Sequence, residues 1–195
     1  MADFAYLHAH SEYSLTDGCL SVEEYVRTLE QFGVSRAALT DTHNLFGAVK
    51  FVEAAQQAGI EPLVGVELIV RSSQGTGWGR SRASRRLRVY VEDRRGYSTL
   101  CSRLSESYRR RHKDGLYVGI DELADDPEGL LFLGPPGPGA DQPLPRMEEA
   151  SFRDQVEEFA QTFGDRAGVE VPVYAEMDDL ERRLVDVDTS ERQEE

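Results

Sequence analysis

Apolar blocks of strand length alternate with stretches of helical period along most of this chain. Residues 4–8 read as a first strand. A helix then starts at Ser21, where Ser21 and Glu24 have capping-box spacing and Val22, Tyr25, Val26 and Leu29 recur on one helical face. Gly33 closes that helix, and residues 36–40 supply a second strand. A helix over 46–58 follows, ended by Gly59 at its C′ position, and 62–70 is a continuous apolar strand. Residues 71–85 (RSSQGTGWGRSRASR) form a loop rich in Gly, Ser and Arg. A strand over 87–91 and a helix over 96–110, with Leu100, Leu104 and Tyr108 on one side, come next. Residues 120–123 read as a helical turn before a strand at 130–133, and GPPGPG at 134–139 reads as a loop, because proline cannot donate to a central ladder. A helix over 148–163 and a strand over 168–174 complete the pattern. Strands alternating with helices predict a parallel sheet, most simply a barrel-like α/β fold.

Composition narrows the class. At 195 residues and 39% hydrophobic, the chain can bury one core, while a mean hydropathy of -0.50 demands a very polar surface. No apolar run approaches the length of a membrane span, and MADFAYLHAH lacks the basic start and apolar stretch of a secretory signal. Cys19 and Cys101 form no CxxC pair, so two free thiols in a reducing cytoplasm are expected. The net charge of -14 argues against a general DNA-binding protein, which needs clustered cations for phosphate contacts. Residues 80–113 run the other way, with 12 basic and three acidic side chains. Arg80, Arg82, Arg85, Arg86, Arg109, Arg110 and Arg111 are expected to share one exposed side that could meet nucleic acid or an acidic partner. The mostly charged segment 178–195 reads as an acidic tail appended to a domain over 1–177.

The sharpest chemical feature is His8-Ala9-His10, where the first strand runs into a loop. Residues i and i+2 of extended chain point to the same side, so two imidazoles converge at the carboxyl end of that strand. Asp17 follows in the polar loop SEYSLTDG, Asp41 ends the second strand, and Glu67 interrupts the apolar run LVGVELIV of the third. A carboxylate inside a buried strand is costly unless it meets a cation or strong donors. Imidazoles and carboxylates together suit zinc, manganese or iron. Singly, Asp17 also reads as a turn residue and Asp41 as a helix N-cap.

FAYLHAHSEYSLTDG and LTDTHNLFGAVKFVEAAQQAGIEPLVGVEL resemble the first two blocks of the PHP (polymerase and histidinol phosphatase) domain at the N-terminus of bacterial DNA polymerase III alpha subunits. RVYVEDRRGYSTLC with LSESY, DPEGLLFLGPPGPG and FGDRAGVEV are similar to its later segments, so the likeness runs from about residue 4 to about residue 171. The resemblance implies a distorted, truncated seven-stranded (β/α) barrel over 1–177. It also implies a multi-metal site for phosphoester hydrolysis, with zinc or manganese as the expected ions. His8, His10, Asp17 and Glu67 match ligand positions of that site, with Asp41 nearby. The family's common Thr-Asp-His-Gly-Asn stands here as Thr40-Asp41-Thr42-His43-Asn44, which puts Thr42 at the ligand position and His43 one residue late. Arg86 replaces a further histidine, Pro136 a cysteine, and the closing Asp-x-His is missing from the pattern. Reduced metal occupancy follows from these departures.

Three readings stand on the sequence. One is a structural or partner-binding module of DNA replication, which packs on the polymerase core or docks the proofreading exonuclease subunit, as the resemblance implies. The second is a stand-alone metal-dependent phosphoesterase acting on nucleotide phosphates or 3′ DNA ends, and the third a decayed fragment. Polymerisation by this chain is not expected, since no aspartate cluster is set to hold two catalytic magnesium ions.

Overall fold

A computed structural model describes residues 4–15, 17–71, 85–110, 116–138 and 149–169. The expected tail at 178–195, the end of the last strand beyond 169, the bulk of the 71–85 loop, and Arg80, Arg82 and Arg111 lie outside the described residues. The elements run β1 (Ala5–Tyr6), α1 (Val22–Gln31), β2 (Arg36–Leu39), α2 (Ala48–Gln57), β3 (Glu61–Arg71), β4 (Arg85–Val91), α3 (Arg94–Arg110), β5 (Val118–Gly119), α4 (Ile120–Ala124), β6 (Leu130–Pro138), α5 (Glu149–Phe163) and β7 (Ala167–Val169). The strands form one seven-stranded sheet in the order β1-β2-β3-β4-β6-β7, with β5 paired to β3, and the sheet curls into a half-barrel. No helix among the described residues is long and apolar enough to cross a membrane.

Local sequence accounts for the first half. The Ser21 hydroxyl accepts from the Glu24 amide while the Glu24 carboxylate accepts from the Ser21 amide, the reciprocal cap its spacing predicts. Val22, Tyr25, Val26 and Leu29 of α1 bury against Ala37 and Leu39 of β2 and Phe51 and Ala55 of α2. Tyr25 stacks on Phe51 and satisfies its hydroxyl on the Ala38 carbonyl, so this large ring enters the core with no orphaned polar atom. Gly59 follows α2 at φ +72°, a conformation that would strain a side chain.

The second half departs from the alternation rule. β1, β2 and β3 are parallel, but β3–β4 and β4–β6 are antiparallel, so the sheet is mixed rather than parallel. The sequence joining β3 to β4 carries no helical pattern, whereas parallel pairing of consecutive strands calls for a crossover, usually helical. The GPPGPG segment is also not a simple loop, since β6 continues through Pro138. Its prolines are tolerated because the β4–β6 ladder changes register there, passing from Arg88↔Leu133 to Arg86↔Gly137, and proline is accommodated at a bulge. The short β5 has no strong strand signature and exists through its parallel pairing with Val70 and Arg71.

Period-2 alternation then divides the sheet into two faces. Val66, Leu68 and Val70 of β3 and Leu87 and Val89 of β4 enter a core closed by Leu100 and Leu104 of α3 and Phe159 and Phe163 of α5. Glu67, Arg86 and Arg88 fall on the opposite face. The buried stripe of α3 ends on Ser107 rather than Tyr108. Ser107 is drawn inward by His43, whose Nε2 lies 2.7 Å from the Ser107 hydroxyl while its Nδ1 accepts from the Ile69 amide at 3.2 Å. Because Nδ1 accepts, Nε2 carries the proton and donates. The imidazole is therefore a neutral latch between the β2–α2 turn, β3 and α3, at a residue with φ +56°.

Two predictions follow from these buried polar groups. Burial pushes the His43 imidazole down to about 4 from an ordinary 6.5. A base whose folded pKa is depressed contributes stability that is complete above pH 6.5 and is lost as the pH falls toward 4. Urea unfolding should lose about 2 kcal/mol from this group between pH 7.5 and pH 5, and His43→Gln should flatten that slope. An unchanged slope in the variant would show that the imidazole is not the titrating latch. The second concerns Asp41, buried at 2% exposure, whose carboxylate accepts from the Ser11 amide (2.7 Å), the Ser11 hydroxyl (2.8 Å) and the Ser14 hydroxyl (2.7 Å). Asp41→Ala strands three buried donors and should cost about 3 kcal/mol or more in the same measurement. A loss below about 1 kcal/mol would mean that the loop rearranges freely.

Candidate metal centre

The site is assembled on the polar face of the sheet, and backbone hydrogen bonds place each of its side chains. Thr40 holds Ala9 from both sides: its amide donates to the Ala9 carbonyl at 2.9 Å, and its hydroxyl lies 3.2 Å from the Ala9 amide. The Tyr90 hydroxyl donates to the Leu7 carbonyl at 2.6 Å. Gly65 makes room for that tyrosine, since a Cβ there would meet the Tyr90 ring at 2.9 Å and Thr40 Cγ2 at 3.0 Å. With Leu7 and Ala9 pinned, His8 and His10 project together. The backbone of Glu67 is bracketed in turn, its amide donating to the Asp41 carbonyl and its carbonyl accepting from the His43 amide at 2.8 Å.

The result is a compact three-residue group. His8 Nε2 lies 2.7 Å from Glu67 Oε2, His10 Nε2 lies 3.4 Å from the same oxygen, and the two Nε2 atoms are 3.1 Å apart. Glu67 is buried at 3% side-chain exposure and His10 nearly so at 11%, whereas His8 at 39% leaves one side open to solvent. A tetrahedral zinc ion with bonds near 2.0–2.1 Å needs donor atoms separated by about 3.3 Å. Two imidazole nitrogens and a carboxylate oxygen at these spacings therefore fit one metal ion, with the solvent side available for a further ligand.

Glu67 divides its two oxygens between different partners. Oε2 faces the histidines and, at 3.9 Å, Arg88 Nε, while Oε1 accepts from Arg86 Nη1 at 2.8 Å. The same Arg86 nitrogen donates to Asp17 Oδ2 at 2.8 Å, and Asp17 Oδ2 accepts from the Thr42 hydroxyl at 3.0 Å. Burial alone would raise the Glu67 carboxyl, but bonds from His10, His8 and Arg86 outweigh it and hold the group ionised far below the usual carboxylate range. Asp17 is lowered chiefly by its bond to Arg86. Burial lowers Arg86 while Asp17 and Glu67 raise it, and the net shift is upward.

Of the six candidate ligands, His8, His10 and Glu67 come together, and they form the one such His/Cys/Asp/Glu group among the described residues. Asp17 joins only through Arg86. Asp41 turns its carboxylate to Ser11 and Ser14, and His43 is committed to Ile69 and Ser107, so neither is brought to the histidine pair. The expected single arginine face is also not assembled among the described residues. Neighbours in a strand point to opposite faces, so Arg86 enters the site while Arg85 faces α5 and feels Glu158. Arg109 and Arg110 pair with Glu106, and Arg110 also with Glu122. The residues not foreseen in the site are Arg88 and Tyr90. The pattern RRLRVYV carried the signal, because Arg86, Arg88 and Tyr90 alternate with apolar residues and must share a face.

Comparison with known proteins places the chain among relatives by sequence. The DNA polymerase III subunit alpha of Campylobacter jejuni is 33% identical over 135 residues, covering 67% of this chain and 11% of that protein. The corresponding subunit of Chlamydia trachomatis is 34% identical over 134 residues, covering 65% and 10%. The chain thus spans about a tenth of the length of these relatives. A solved structure from Bifidobacterium adolescentis, assigned as a metal-dependent phosphoesterase, is 12% identical with a TM-score of 0.48 and covers 85% of this chain and 76% of its own. The family model of the PHP domain matches residues 6–172, and the chain belongs to that family.

Proposed function

We propose that this PHP domain serves DNA replication as a structural or partner-binding module that keeps a reduced metal site. The observation that carries this reading is Arg86. Its guanidinium lies on both Asp17 and Glu67, the two carboxylates that remain once Asp41 is committed elsewhere. A phosphoesterase that works with several ions needs those oxygens for metal. Here the protein's own cation has taken them, leaving His8, His10 and one Glu67 oxygen. A divalent cation bound there would polarise a phosphate oxygen and acidify water. His8 and His10 would hold it, Glu67 would balance its charge, and Arg86 would fix the Glu67 carboxylate. Without a second ion on the leaving oxygen, turnover should be slow.

The relatives are polymerase alpha subunits, and the partners this reading favours are a polymerase core and a proofreading exonuclease subunit. The alternative, a stand-alone phosphoesterase acting on nucleotide phosphates or 3′ DNA ends, is favoured by one observation: the donor atoms of His8, His10 and Glu67 all lie within 4.8 Å of one another.

Hydrolysis of a chromogenic phosphodiester and of a 3′-labelled single strand, with manganese or zinc added, separates the two readings. Rates near background, unchanged in a His8→Ala, His10→Ala double variant, are expected. Efficient hydrolysis that the double variant abolishes would establish the enzyme instead. Co-elution of the full chain with a bacterial polymerase III core or its exonuclease subunit is the positive test, and failure with both would sink the partner-binding part.

A further inference from the structure

The pocket is built as two halves that meet on one carboxylate. On one side, Glu67 Oε2 faces two imidazole nitrogens at 2.7 and 3.4 Å. On the other, Glu67 Oε1 and Asp17 Oδ2 each lie 2.8 Å from the same nitrogen of Arg86. A single nitrogen bridging two carboxylate oxygens has the connectivity of a bridging cation. Asp17 and Glu67 carry two negative charges; Arg86 bonds both and Arg88 lies 3.9 Å from Glu67 Oε2, so two guanidinium groups offset the two carboxylates. No surplus of negative charge is left to hold a second divalent ion.

Resting on the reading of a reduced site, we propose that Arg86 is a resident cation that stands in for one metal ion, leaving a mononuclear centre at His8, His10 and Glu67. Two consequences follow from the geometry. Arg86 ties the Asp17 loop to β3 directly, and Thr42 holds Asp17 from the other side, so the order of that loop does not depend on metal. Arg86 also sets stoichiometry: a fixed positive charge on Glu67 Oε1 repels any second ion approaching the Asp17 side, and its guanidinium blocks the oxygens that ion would need. Arg88, opposite Glu67 in the β3–β4 register, lies 3.9 Å from Oε2 on the histidine side, so its charge weakens the remaining centre as well.

The test measures metal binding and stability, so its result is independent of whether the protein hydrolyses anything. Full-length protein purified without a histidine tag is titrated with zinc and with manganese by calorimetry, bound metal is counted, and melting is followed with and without chelator. The wild type should take up one ion per chain, with a melting temperature that a chelator lowers little. Arg86→Ala should take up a second ion, or bind manganese at least about tenfold more tightly, and its melting temperature should fall when metal is removed. Arg86→Lys should behave as wild type, because it keeps the charge. Arg86→Gln keeps hydrogen-bonding capacity without charge, and it should gain metal as the alanine variant does, which covers an alanine variant that fails to fold. A wild type that binds two ions or none, or neutral variants with unchanged stoichiometry and affinity, would overturn the proposal. A lysine variant that gains metal would overturn it too, by showing that shape rather than charge excludes the ion.

Discussion

Glu67 is the constraint on which the rest of this face depends. A carboxylate in the middle of a strand, at 3% exposure, cannot stay ionised unless positive or strongly donating groups surround it. Its backbone is fixed by β2's extension through Asp41 and His43, so the carboxylate cannot swing out to water. The partners must come to it, and they come from three directions: the strand-to-loop turn at His8 and His10, β4 through Arg86 and Arg88, and the Asp17 loop through Arg86. The shortest of these, from His8 at 2.7 Å and Arg86 at 2.8 Å, come from anchored segments, held by Thr40 and Tyr90 on one side and by the β3–β4 ladder on the other.

Asp41 shows the contrasting solution to the same problem. It too is a buried carboxylate at the end of a strand, yet it is satisfied by one amide and two hydroxyls and needs no cation. Hydroxyl donors from Ser11 and Ser14 bend the 11–18 loop back over β2, and Gly18 permits the approach because a Cβ there would run into the Ser11 carbonyl. One carboxylate therefore builds the loop and the other builds the site. The loop built by Asp41 is what presents Asp17 to Arg86.

This division of labour was only half legible in the sequence. The HxH spacing and a glutamate interrupting an apolar run could be read directly, because strand alternation is a local rule and burial of a charge is costly wherever it occurs. The Ser21 cap, the Gly59 terminus and the buried stripe of α1 were legible for the same reason. Asp17 in a polar loop and Asp41 at a strand end could both be read as ligands; which meets hydroxyls and which meets arginine is decided by contacts between segments far apart in the chain. The direction of His43 depends on a left-handed backbone that its sequence does not announce. The sense of β4 likewise is set by its pairing with β3, and the prolines of β6 fall where the β4–β6 register shifts between Arg86 and Arg88.

The β3–β4 register carries the largest consequence. Glu67 sits opposite Arg88 and Ile69 opposite Arg86, so the two arginines straddle the carboxylate on one face while Leu87 and Val89 fill the core on the other. A slip of one residue would invert every side chain of β4, burying two guanidinium groups among leucines and phenylalanines and exposing the apolar pair to the pocket. The cost of burying those charges in the core makes the register unambiguous. The same cost makes the arginine face of the pocket inseparable from the core behind it: Arg86 and Arg88 stand against Glu67 because their strand neighbours have nowhere else to go. The pocket is thus held by the packing of the fold, and a change at position 86 or 88 leaves in place the backbone that aims both at Glu67, which Leu87 and Val89 set.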